Sequence, residues 1–184
     1  LDHLIVASIA LSPDGKYLAA GTCDGKIRVI DTQTFNVIKT IQAHKRCTQL
    51  VKFIKNGNVL LSCSFISLTP PPASTNILFK IYEGYYEFKK FNFLTGNELQ
   101  TFNIEGNFYF PIPAVSKDSK YIAIYSYKSS PRIKKYDLET GRELTNSKLL
   151  YNGSVYSMCF APDSRYLTFT GLFGTLALID LATG

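Results

Sequence analysis

Short apolar runs recur along this chain with polar turn residues between them, and none carries the i, i+3, i+4 spacing of an amphipathic helix. Val6 to Leu11, Thr48 to Phe53, Phe110 to Val115 and Val155 to Phe160 each lead into a turn. The turns are Ser12-Pro13-Asp14-Gly15, Ile54-Lys55-Asn56-Gly57, Ser116-Lys117-Asp118-Ser119 and Ala161-Pro162-Asp163-Ser164. Pro fixes φ and Gly tolerates positive φ, so tetrapeptides of this kind suit tight turns. A second run follows each turn: Tyr17 to Ala20, Val59 to Ser62, Tyr121 to Ile124 and Tyr166 to Phe169. Two runs joined this way predict a hairpin. A third run ends in an acidic or amide residue, at Asp31, Asn92, Asp137 and Asp180, and then turns. A fourth run, over Asn36 to Ile41, Glu98 to Ile104 and Glu143 to Leu150, completes the first three units. Many runs are apolar on both faces, as a small sheet packed between two others requires.

The anchors at 31, 92, 137 and 180 stand 61, 45 and 43 residues apart. Repetition at about 40–45 residues marks a β-propeller or a similar array. The expected fold is all-β: a β-propeller segment of four consecutive four-stranded antiparallel blades in an open, incomplete ring. The blades are expected at about residues 4–42, 47–104, 108–150 and 154–184, the last lacking its final strand. The chain then reads as part of a larger propeller of about seven or eight blades, with further blades or a second chain closing the ring. Unit two is longer than the others. Ser12 to Asp31 is 19 positions, whereas Ile54 to Asn92 is 38. The additional residues, within 65–85, include Pro70-Pro71-Pro72, which a central strand excludes. After them come the apolar run Ile77 to Tyr82 and Glu83-Gly84. They predict a loop leading into an added hairpin, turning at Glu83-Gly84, that extends the third strand.

The stretch Ser12-Pro13-Asp14-Gly15-Lys16-Tyr17-Leu18-Ala19-Ala20 through Gly21-Thr22-Cys23-Asp24-Gly25-Lys26-Ile27-Arg28-Val29-Ile30-Asp31 resembles one blade of the WD-repeat family. Ala43-His44 is similar to that family's Gly-His pair. The departures matter too. The family's Trp column is Ile30, Phe91, Tyr136 and Ile179 here, and the chain has no Trp. Its Asp between the second and third strands survives as Asp24; the matching positions are Tyr85, Ser130 and Phe173. The resemblance therefore implies blades without a complete His/Ser-or-Thr/Asp/Trp network, leaning on apolar stacking instead. Val29 to Ile41 also resembles Trp-less propeller repeats of the surface-layer and lactonase kind.

Composition narrows the partners. Lys and Arg number 20 against 14 acidic residues, giving a net charge of +6 spread along the chain. That favours weak attraction to acidic partners without implying nucleic acid. No apolar run approaches the about 20 residues of a membrane span. Cys23, Cys47, Cys63 and Cys159 show no paired short spacing, so they read as reduced structural thiols of an intracellular, cytoplasmic protein, with the nucleus an alternative. Asn152-Gly153-Ser154 is a formal glycosylation triplet of the kind that arises by chance.

No catalytic, cofactor or metal site is expected. His3 and His44 adjoin no nucleophile motif, and neither a Gly-rich phosphate loop nor a metal-ligand cluster is present. The expected function is a non-catalytic platform for protein or peptide partners. The alternatives are a ligand-sensing propeller joined to an effector module and, further off, a metal-dependent hydrolytic propeller such as a lactonase. The resemblance places Asp24, His44, Lys45, Arg46, Asn107, Phe108, Lys128, Ser129, Tyr151, Asn152 and Phe173 on one rim, where aromatic and Arg side chains commonly anchor interfaces. The same residues could equally close the rim by packing on each other. A second candidate is a basic stripe. Lys89-Lys90 and Lys134-Lys135 are equivalent pairs, and Lys90 and Lys135 fall where Val29 and Leu178 put an apolar residue. The stripe could hold phosphate or an acidic peptide; the plainer reading is snorkelling or pairing with carboxylates. The Pro-rich insertion reads as a solvated loop or, alternatively, a docking peptide.

Overall fold

A computed structural model describes residues 4–68, 82–108, 113–126, 132–145, 155–171 and 174–181. The fold is all-β. Among the described residues there are fifteen strands and one short 3₁₀ turn, Lys55–Gly57. Strands β1 (Val6–Leu11), β2 (Tyr17–Thr22), β3 (Lys26–Asp31) and β4 (Val37–Gln42) form the first sheet in sequence order. The second contains β5 (Leu50–Ile54), β6 (Val59–Ser67), β7 (Tyr82–Asn92) and β8 (Glu98–Phe108). The third contains β9 (Ala114–Val115), β10 (Tyr121–Ser126), β11 (Arg132–Asp137) and β12 (Glu143–Thr145). The fourth contains β13 (Val155–Phe160), β14 (Tyr166–Gly171) and β15 (Leu176–Asp180). Each is an antiparallel meander, and none closes on itself.

The motif turns are held by their own side chains. Ser12 Oγ donates to Asp14 Oδ1 at 2.6 Å and accepts from Tyr17 N at 2.9 Å. Ser116 repeats both bonds with Asp118 and Tyr121 at the same lengths. At the strand-end anchors, the Thr three residues on donates its N–H to the acidic or amide oxygen: Thr34 to Asp31 at 2.8 Å, Thr95 to Asn92 at 2.9 Å and Thr140 to Asp137 at 2.7 Å. These are turns in which a short polar side chain substitutes for a backbone acceptor. The acidic anchors thus serve structure.

The insertion departs from expectation. Glu83 and Gly84 lie inside β7, with Glu83 O accepting from Leu68 N at 2.9 Å, so no turn forms there. An eleven-residue β7 lying beside the nine-residue β6 uses these residues as ladder. Residues 69–81, with Pro70-Pro71-Pro72 and most of the Ile77 to Tyr82 run, lie outside the described residues.

The chain divides into two compact units: Leu1–Ile66 with Tyr86–Ile104 (unit 1), and Ser67–Tyr85 with Glu105–Gly184 (unit 2). Within unit 1, β1 and β5 are in contact, and Ala19, Ile27, Val29, Ile41 and Ala43 pack with Val51, Phe53, Leu60 and Phe91. Within unit 2, β9 and β13 are in contact, and Ala114, Ala123, Tyr125 and Ile133 pack with Met158, Phe160, Leu167, Phe169 and Ile179. In both units, a face carrying alanines beside larger apolar residues receives Phe and Leu side chains of the next sheet.

Candidate interaction surface

In unit 1 the turn between β2 and β3 and the connection from β4 to β5 are bound together. Gly25 O accepts from Ala43 N at 3.0 Å and His44 N at 2.8 Å, and Thr22 O accepts from Thr48 N at 3.0 Å. Gly25 has φ +80, and a Cβ there would lie 2.1 Å from the His44 carbonyl oxygen. Only Gly allows this approach. A disulfide between Cys23 and Cys47 links the same two segments. This corrects the expectation of four reduced thiols. The 24-residue separation gives no sequence signal of pairing, but the two loops are neighbours in space. Cys63 and Cys159 are free, and burial pushes the Cys63 thiol well up.

Asp24 stands at the tip of the turn. It accepts from Thr22 Oγ1 at 2.6 Å and from both terminal nitrogens of Arg28, at 3.1 and 2.7 Å. The Arg28 bonds come first, then Thr22, in holding its carboxyl far below the usual carboxylate range.

His44 lies on the connection and is buried. Its Nδ1–H donates to Glu87 Oε2 at 2.7 Å, and its Nε2 accepts from Ser62 Oγ–H at 2.8 Å. The carboxylate can only accept, so the tautomer follows. Burial lowers the imidazole pKa, with Glu87 pulling partly the other way. Sequence reasoning expected no complete network. The structure forms one of three members, with Glu87 on β7 replacing the turn carboxylate sought at Tyr85. Looking for an acid along the strand would have found it. The arrangement has the pairing of a serine–histidine–carboxylate relay, yet Ser62 is fully buried and offers its oxygen to no substrate. It clamps the connection onto the second sheet.

Lys45 and Arg46 follow His44 and are exposed. Neither forms an ion pair or side-chain hydrogen bond with a described residue. Asp24, Lys45 and Arg46 thus share one rim of unit 1, while His44 supports it from beneath.

The lysine pairs are placed differently. Lys90 is 3% exposed, donates to Gln100 Oε1 at 2.8 Å and lies 5.6 Å from the Phe102 ring centre. Lys89 pairs with Glu98 at 2.9 Å. In unit 2, Lys134 pairs with Glu143 at 2.9 Å, and the Lys135 ammonium sits 4.1 Å over the Tyr121 ring. Asn107 and Phe108 end β8, and their side chains are outside the described set. Lys128, Ser129, Ser130, Tyr151, Asn152 and Phe173 also lie outside the described residues. Among the described residues, no group of three or more His, Cys, Asp or Glu is placed to hold a metal, and no helix is long and apolar enough to cross a membrane.

Residues 2–56 match the family described as the anaphase-promoting complex subunit 4 WD40 domain. No curated protein matches the chain. The β-propeller domain of Cps50 (Swd1) from Myceliophteria thermophila superimposes with a TM-score of 0.62 at 14% identity, over 97% of this chain and 54% of that one. This chain therefore spans about half the length of that structure. The computationally designed Ika4 protein superimposes with a TM-score of 0.63 at 16% identity, over 98% of this chain and 93% of the other. At such identities the likeness is one of fold. The WD40 likeness in sequence is thus confined to residues 2–56, and the structural likeness to a β-propeller domain is one of fold.

Proposed function

We propose that the chain is a non-catalytic platform for protein or peptide partners, engaged at the rim of unit 1 that carries Lys45 and Arg46. The WD40 propeller fold is consistent with an interaction domain. The observation that carries the reading is two exposed, unengaged cations on a connection tied down by backbone bonds, a disulfide and the His44 clamp. A pre-ordered loop loses little entropy on binding. Arg side chains are frequent interface anchors. A partner segment rich in carboxylates fits this chemistry, and the net charge of +6 favours its approach.

The test is a fluorescence-anisotropy titration with a labelled Glu-rich peptide. The expected result is saturable binding that weakens with salt, and that falls about tenfold or more in the double variant Lys45→Glu, Arg46→Glu, the about 1.4 kcal/mol or more that such a factor represents. Equal affinity for the two proteins would refute the reading.

A further inference from the structure

Lys45, Arg46 and Cys47 form a short span between two anchored ends. At one end Ala43 N and His44 N donate to Gly25 O at 3.0 and 2.8 Å, and the His44 ring is clamped to Glu87 and Ser62. At the other, Thr48 N donates to Thr22 O at 3.0 Å. Between these ends, neither the backbone nor the side chains of Lys45, Arg46 and Cys47 hydrogen-bond to a described residue. The span is pinned by the disulfide from Cys47 to Cys23, on the turn between β2 and β3. Cys23 is exposed and Cys47 half-buried, so a thiol in solution can reach the bond. The free thiol of Cys63, by contrast, is fully buried.

We propose that the Cys23–Cys47 disulfide is a redox switch for the rim that carries Lys45 and Arg46. Oxidised, it fixes both cations; reduced, it frees the span and weakens the hold on a carboxylate-rich partner. This rests on the platform reading of the same rim and adds its regulation. The effect is local, because the backbone bonds at Ala43, His44 and Thr48 involve no sulfur and outlast the reaction. A freed span must be ordered again at each binding event, which costs affinity.

The reductant is a dithiol. One of its thiolates attacks Cys23 Sγ, the more accessible sulfur, and a mixed disulfide forms. Cys47 Sγ leaves with the electron pair of the broken bond, and the neighbouring Lys45 and Arg46 favour that thiolate. The second thiolate of the reductant then attacks the reductant's own sulfur in the mixed disulfide and releases Cys23. Two electrons pass to the chain. The two protons that the reductant gives up complete the thiols of Cys23 and Cys47, and the reductant ends as an intramolecular disulfide.

Trypsin, which cleaves after Lys and Arg, reads the span without any partner. The chain is reduced with dithiothreitol, freed of it and compared with the oxidised form. Cleavage after Lys45 and Arg46 is expected to quicken about tenfold or more on reduction. The labelled Glu-rich peptide is expected to bind the reduced chain about three- to tenfold more weakly than the oxidised one. The double variant Cys23→Ser, Cys47→Ser should match the reduced wild type in both readouts and ignore dithiothreitol. Unchanged cleavage on reduction would overturn the proposal, as would equal peptide affinity in the two states. So would cleavage spread through the strands, which marks global unfolding, or a dithiothreitol response that persists in the double variant. Peptide bound by neither state would instead refute the platform reading itself, and trypsin alone would then decide whether the disulfide holds the span.

Discussion

Ser62 in unit 1 and Phe169 in unit 2 are the same position of the repeat, four residues into the strand after the motif turn. Both are buried. Gly21 and Tyr125 are likewise equivalent, on the sheet that comes before. In unit 1, a Cβ at Gly21 would meet Ser8 Oγ and Thr48 O at 2.6 Å, so the backbone comes close and the space is filled by hydrogen-bonding groups. In unit 2, Tyr125 and Phe169 fill the corresponding space with side-chain volume and join one apolar cluster. The comparison teaches that the repeat dictates strand order and register, while each sheet-to-sheet joint is fitted locally. A polar clamp and an aromatic plug serve the same backbone. The clamp fixes orientation through bonds of defined direction, whereas the plug contributes more burial.

The plug should be the costlier to remove. Phe169→Ala leaves a cavity in a buried apolar cluster, and an expected loss of about 3–5 kcal/mol follows from lost burial plus the void. Urea denaturation checks it. A loss below about 1 kcal/mol would mean that unit 2 collapses around the gap and that the two joints differ less than their residues do. Next in size is Gly25→Ala. The new Cβ would meet the His44 carbonyl oxygen at a backbone that L residues rarely adopt. About 3 kcal/mol is expected from strain and displacement of the connection. The same experiment on Gly15, which has open space around it, should cost only about 1 kcal/mol for its positive φ. That pair separates conformational strain from the close approach itself.

The regular features were legible because they rest on local chemistry. Ser12-Pro13-Asp14-Gly15 and the Asp31, Asn92 and Asp137 anchors act through bonds to residues two to five positions away, so the motifs carry their own explanation. Strand ends shifted by a few residues, as at β5, because pairing partners decide where a ladder begins. What was not legible acts across sequence distance. Cys23 and Cys47 meet only because two loops share an edge, and Glu87 reaches His44 from 43 residues on. Glu83-Gly84 read as a turn from composition, yet it lies within a long strand paired along β6. At the rim, sequence placed Asp24, Lys45 and Arg46 together by resemblance. It could not tell that His44 faces inward or that Lys90 is buried against Gln100 and Phe102.

The smallest effect gives the sharpest test of the clamp. His44 is neutral in the fold because burial holds its imidazole below the ordinary 6.5, outweighing Glu87. As pH falls through 6.5 the unfolded chain takes up a proton that the folded chain still refuses. Stability is therefore full above about 6.5 and declines below it, by at most about 1.4 kcal/mol per pH unit for one site. Protonation would also convert Nε2 from acceptor to donor and break its bond from Ser62. The lowered carboxylates, such as Asp24, Asp31 and Glu98, lose their contribution only below their ordinary values of 3.8 to 4.5, so pH 5 to 6.5 isolates the histidine. Urea midpoints at pH 5.5, 6.5 and 8 should show a decline across the lower interval in the wild type and a flat response in His44→Gln. Ser62→Ala should cost about 1 kcal/mol at pH 8, the worth of one buried hydrogen bond. It should also flatten the slope partially, since a ring with no hydroxyl to accept from resists protonation less. Parallel pH curves for wild type and His44→Gln would remove the clamp from the account of unit 1 and leave its joint to Phe53, Leu60 and Phe91 alone.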